Sequence, residues 1–79
     1  MGIAESEKEL ALKASRFLKA ELKRAGVTYA ELAVRLKDHG LDETEASVTS
    51  KLARGTFAAT FFLACLAAME LAGIDLADL

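Results

Sequence analysis

The sequence has no proline and no tryptophan, and only one cysteine, one histidine and one tyrosine. Each scarcity excludes something. Without proline, nothing in the chain forbids helix by its ring geometry. β-branched residues are few and never alternate with polar ones over a strand length, so no strand is expected. Cys65 stands alone and cannot form an internal disulfide, which points to a reducing, cytoplasmic setting. One histidine and one cysteine, far apart in sequence, make no metal site. His39 is also the sole histidine available as a base, Glu43 and Glu45 fall about 200° apart on a helix, and there is no glycine loop for phosphate. No catalytic constellation is therefore expected, and no cofactor or small-molecule substrate.

Long apolar runs are also missing. The stretch from Phe57 to Met69 is short of the roughly 20 residues that cross a bilayer. The opening "MGIAESEKEL" is acidic where a secretory signal is basic and then apolar. Gly2 followed by Ser6 matches the myristoylation pattern, which is short enough to arise by chance.

What the chain does have is alanine and leucine, both good helix formers, in a length that holds one domain, 1–79. Net charge is −2 but is unevenly placed. Residues 1–9 carry −2, residues 57–79 carry −3, and residues 10–56 hold nine cations against six acids. A basic middle lies between acidic ends.

Glycines 26, 40, 55 and 73 each follow a helical pattern, where a left-handed closing residue is wanted. The first helix is expected from about Glu5 to Ala25, with residues 1–9 as an acidic extension. Leu10, Ala14, Phe17, Leu18, Leu22 and Ala25 share its apolar face, and Lys13, Arg16, Lys19, Lys23 and Arg24 gather opposite. That basic arc is expected to be a solvated face or a supporting phosphate contact. The second helix begins behind Thr28, with Glu31 placed for a capping box and Val27 and Leu32 for a hydrophobic staple. It should close near His39, whose position at a helix end suits the dipole. The third helix starts behind Asp42 or Thr44. Val48 and Leu52 point inward, and Ser47, Ser50, Lys51 and Arg54 share the outward face by their i, i+3, i+4, i+7 spacing. The fourth begins behind Thr56, with Phe61, Phe62, Cys65, Leu66 and Met69 as a heavy stripe expected to support Val48 and Leu52. Its other side, with Leu63, Ala67 and Leu71, is still half apolar and is expected to form a homodimer interface or to be covered by the first helix and "IDLADL".

The helix order, "LKAELKRAGVTYAELAVRL" (18–36) and "KLARG" (51–55) resemble the lambda-repressor/Cro type of helix-turn-helix domain, over about residues 18–71. The fuller wording "GVTYAELAVRL" and "ETEASVTSKLARG" with a following "F" is closer still to a small bacterial family known only as a domain of unknown function. The first resemblance implies an all-α, compact bundle of four to five short helices. It implies a dimeric bacterial transcriptional regulator that binds DNA. Residues 28–39 would be the first helix of the motif and 44–54 the recognition helix. Thr28 and Tyr29 would meet phosphate, and Ser47, Ser50, Lys51 and Arg54 would face the major groove. The chain departs from the family in its longer stretch "KDHGLDETEA", which carries Asp38, Asp42, Glu43 and Glu45, and in Ala53 where the family often has Glu. These acids favour the alternative of a helical protein-interaction module that kept the fold without DNA binding.

Overall fold

Three of the four α-helices start behind a short hydrogen-bonding side chain. In the computed structural model, which describes Gly2 and residues 4–79, α1 spans Glu7–Ala25 and starts behind Ser6, whose hydroxyl accepts the Glu9 N–H at 3.1 Å. This is two residues later than expected, because Ser6 supplies the acceptor that the first turn lacks. Glu7 and Glu9 lie in its first turn and Lys23 and Arg24 in its last, the order the helix dipole favours.

Helix α2 spans Tyr29–Leu36 and is followed by a 3₁₀ turn, Lys37–His39. Thr28 accepts the Glu31 N–H at 3.1 Å as expected, but only half of the box forms. The Glu31 carboxylate turns instead to Arg35, 3.5 Å away. Val27 and Leu32, the expected staple, are both buried.

Helix α3, Glu45–Arg54, begins behind Thr44 rather than Asp42. Here the reciprocal box is complete. Thr44 Oγ1 accepts from the Ser47 N–H at 3.1 Å, and Ser47 Oγ accepts from the Thr44 N–H at 2.8 Å.

Helix α4, Ala59–Ala68, starts behind Ala58 with no side-chain cap. Thr56, the expected cap, instead accepts a hydrogen bond from Arg54 Nε at 3.0 Å. A second 3₁₀ turn, Leu76–Asp78, follows. Among the described residues there is no strand.

Three helical segments close in the same way. The N–H of Val27, Leu41 and Leu71 reaches back to the carbonyl of Leu22, Leu36 and Leu66, at 2.9, 3.1 and 2.9 Å. Each is the 6→1 bond of a Schellman ending, and each brings an apolar residue onto the core. The left-handed residue is Gly26 in the first and Gly40 in the second, but Glu70 (φ 59°) in the third. Gly73, expected to close α4, therefore does not. Gly55 (φ 77°) ends α3.

Helix α2 packs against both α3 and α4, and α1 crosses α3. The chain bends by 118° between α3 and α4. Val48 and Leu52 are buried in one cluster with Leu18, Leu32, Leu36, the α4 residues Phe61, Cys65 and Leu66, and Met69 just after α4. Phe62 lies beside this cluster, half-buried, with its ring 6.3 Å from both Phe17 and Phe57. The radius of gyration, 12.1 Å, is close to the roughly 11.6 Å of a compact chain of this length, so the four helices form one body.

Ser15 joins α1 to α3. Its buried hydroxyl donates to the Leu52 carbonyl. That carbonyl lies in the last turn of α3, where no later helical N–H exists to satisfy it. A serine on the apolar side of α1 thus does what the end of α3 cannot do for itself.

Candidate nucleic-acid interface

The four outward α3 residues do not share one environment. Ser50 and Arg54 are exposed. Ser47 is held in the capping box and also donates to Glu43 Oε1 at 2.6 Å. Lys51 folds back rather than out. Its ammonium lies 2.5 Å from Glu43 Oε2 and 5.0 Å from the centre of the Phe61 ring.

Glu43 sits one residue before the α3 cap, and its side chain is only 9% exposed. Burial opposes its charge, but the hydrogen bonds from Lys51 and Ser47 and the nearby ammonium outweigh burial and hold its carboxyl below the ordinary value of 4.5. Sequence spacing places Lys51 at the edge of the outward face, and the buried acid decides which way it turns.

The exposed crest of α3 is then Ala46, Thr49, Ser50, Ala53 and Arg54, mostly short side chains. Thr49 donates to the Glu45 carbonyl at 2.8 Å. Asp42 and Glu45 are exposed at the start of the helix, so its positive charge is confined to the Arg54 end. At the start of α2, Thr28 is exposed and Tyr29 is half-buried against the core.

Arg54 does not stand alone at its end. It lines a cleft with Glu7, Lys8, Leu12 and Thr56. From Lys8 the cationic surface continues along α1. At 100° per residue Lys8, Arg16, Lys19 and Lys23 fall within about 80° of arc. All four are exposed, and none makes an ion pair among the described residues. The expected basic arc therefore divides. Lys13 lies 3.8 Å from Glu9 and Arg24 bonds to Glu21, while Arg16, Lys19 and Lys23 make no ion pair among the described residues. Lys8 belongs to the same stripe, although its acidic neighbours in sequence conceal it. Its spacing of 11 and 15 residues from Lys19 and Lys23 is the signal that could have found it.

The residues expected at a dimer interface are also separated. Leu63 is 62% exposed and Ala67 is exposed, but Leu71 is half-buried and packs on the core through the Schellman ending of α4. The expected cover from the C-terminal segment is partial, with Ile74 on the core and Leu76 57% exposed. His39 is exposed beside Gly40 at the end of its 3₁₀ turn. Cys65 is fully buried, and burial, with the Glu43 charge adding to it against Lys51, pushes its thiol up to about 12. It is a core residue.

Among the described residues no cluster of His, Cys, Asp and Glu could hold a metal ion, and no single helix is long and apolar enough to cross a membrane. No curated protein and no solved structure matches the chain. A family model does match, over residues 10–74, and the chain belongs to that family, the domain of unknown function DUF6471.

Proposed function

We propose that the chain is a small, non-enzymatic DNA-binding domain, used in the cytoplasm in bacterial transcriptional regulation. In this reading α2 and α3 form a helix-turn-helix pair whose turn is lengthened by the 3₁₀ segment and the loop that carries Glu43. The crest of α3, with Ser50 and Arg54, faces the major groove, and Thr28 and Tyr29 lie near phosphate. Lys51 and Ser47 position α3 from behind. The observation that carries the reading is the run of exposed cations Lys8, Arg16, Lys19 and Lys23 on one flank of α1, without an ion pair among the described residues and adjoining Arg54 of α3. Over about 22 Å of helix such a row can follow a phosphate backbone, which supplies most of the affinity of non-specific binding. Asp42 and Glu45 would sit away from the strand, at the opposite end of α3.

Fluorescence anisotropy with a mixed-sequence duplex tests this. The wild type should bind with a Kd of about 1–100 µM at low salt, and log Kd should rise linearly with log salt. The variant Lys8→Gln/Arg16→Gln/Lys19→Gln/Lys23→Gln should lower the salt slope by about 0.9 for each phosphate that is no longer neutralised. All four side chains are exposed, so helicity should be unchanged. No wild-type binding at about 100 µM in low salt, or equal binding by the variant, overturns the proposal.

A second reading, a protein-interaction module without DNA binding, is favoured by a separate observation. An apolar hollow opens between α1, the start of α4 and the C-terminal turn.

A further inference from the structure

A helix laid in a groove reads sequence with side chains that reach base edges, while contacts to phosphate fix register and carry no sequence information. The exposed face of α3 has little to read with. Ala46 and Ala53 offer a methyl each, and Ser50 offers one hydroxyl, which can donate or accept and so suits more than one base. The Thr49 hydroxyl already gives its proton to the Glu45 carbonyl at 2.8 Å. Lys51, whose reach would suffice, is drawn back to Glu43. In helix-turn-helix docking, base contacts come from the first turns of the second helix. The first turns of α3 present Glu45 and these short side chains.

Arg54 remains, at the last position of α3, and its surroundings place it with the phosphate contacts. Its Nε donates to Thr56 Oγ1 at 3.0 Å. Its side chain shares a cleft with Thr56 and with Lys8 and Leu12 of α1. Glu7 lines the same cleft, but at 100° per residue it leaves α1 about 100° away from Lys8. Lys8 begins the row of exposed cations that continues through Arg16, Lys19 and Lys23. Arg54 extends that row from α1 across to α3.

We infer that the chain grips duplex DNA through its phosphate backbone, along α1 and Arg54, and does so without regard to base sequence. The inference rests on the DNA reading and narrows it. Helix α3 occupies the groove without reading it, so in regulation the choice of a site comes from outside this domain.

Fluorescence anisotropy at one low salt concentration, on A·T-only, G·C-only and mixed duplexes of equal length, tests this. Kd should differ by less than about fivefold across the three, the separation that the weakest base contact, about 1 kcal/mol, would give. Selection from a random duplex pool should enrich no motif. Arg54→Gln and Lys8→Gln, both at exposed positions, should each weaken binding to all three duplexes alike. Each should also lower the salt slope by about 0.9, the signature of one lost phosphate contact. The two variants lie on different helices, so the outcome does not depend on one of them folding, and circular dichroism checks both. Ser50→Ala should leave all three Kd values as in wild type. An enriched motif, a wider spread of Kd, a loss confined to one duplex in Arg54→Gln or Ser50→Ala, or an unchanged salt slope in both glutamine variants overturns the inference and leaves the DNA reading standing. No wild-type binding to any of the duplexes overturns that reading, and the inference with it.

Discussion

Removing Lys51 should destabilise the fold before it affects any ligand. The Glu43 carboxylate is 9% exposed and receives two hydrogen bonds, from the Lys51 ammonium at 2.5 Å and from the Ser47 hydroxyl at 2.6 Å. Lys51→Ala deletes the charged donor and leaves the buried anion with a single neutral one. A hydrogen bond to a charged group contributes about 1.5–3 kcal/mol, and orphaning one partner of a fully buried pair costs about 3–5 kcal/mol. Lys51 is 30% exposed, so water can reach the vacated side, and the lower end, about 2 kcal/mol, is expected. For a domain this small that is a fall in Tm of about 8–16 °C. The pH dependence supplies a sign. In the wild type the carboxyl titrates below 4.5, so the pair's stabilisation is complete above that pH and is lost as pH falls through the folded pKa. In Lys51→Ala burial outweighs the one remaining hydrogen bond and the folded pKa rises above the unfolded one. The penalty is then present at high pH and relieved as pH falls. Thermal melts by circular dichroism at pH 7 and pH 5 should show Lys51→Ala recovering part of its loss at pH 5, with no such gain in the wild type. Glu43→Gln/Lys51→Ala should lie closer to wild type at pH 7 than Lys51→Ala alone, because no buried charge remains. A Tm for Lys51→Ala within about 2 °C of wild type at pH 7, or no difference in its pH trend, would show that the pair does not hold α3 in place.

Two further stability changes follow from the helix ends. Ser15→Ala leaves the Leu52 carbonyl without its donor and should cost about 1–2 kcal/mol by urea denaturation; an unchanged midpoint would mean that water satisfies the carbonyl equally well. Glu70→Gly removes a side chain from a left-handed position (φ 59°) and should raise stability by about 0.5–1 kcal/mol, less than the full left-handed penalty because glycine also loosens the unfolded chain. A lower Tm would mean that the Glu70 side chain contributes more than its backbone costs.

The sequence by itself determined the local structure. The lack of proline and of strand patterning made the chain helical. Gly26, Gly40 and Gly55 marked three ends, Thr28 marked one beginning and Asp42 or Thr44 another, because capping bonds form within three residues and need no distant partner. The inward set Leu18, Leu22, Leu32, Leu36, Val48 and Leu52 also followed from period alone. The tertiary structure decided whatever depends on a neighbour from another element. Glu70 rather than Gly73 takes the left-handed turn because the Leu71 N–H reaches Leu66 and Leu71 packs on the core there. Ser15 faces inward because a carbonyl of α3 waits for it. Lys51 leaves the outward face because Glu43, eight residues earlier in the acidic stretch, is buried, and the ammonium settles between that carboxylate and the Phe61 ring. A helical period fixes the direction in which a side chain leaves the backbone. Where a long, flexible lysine comes to rest depends on the charge and the ring that the fold brings next to it.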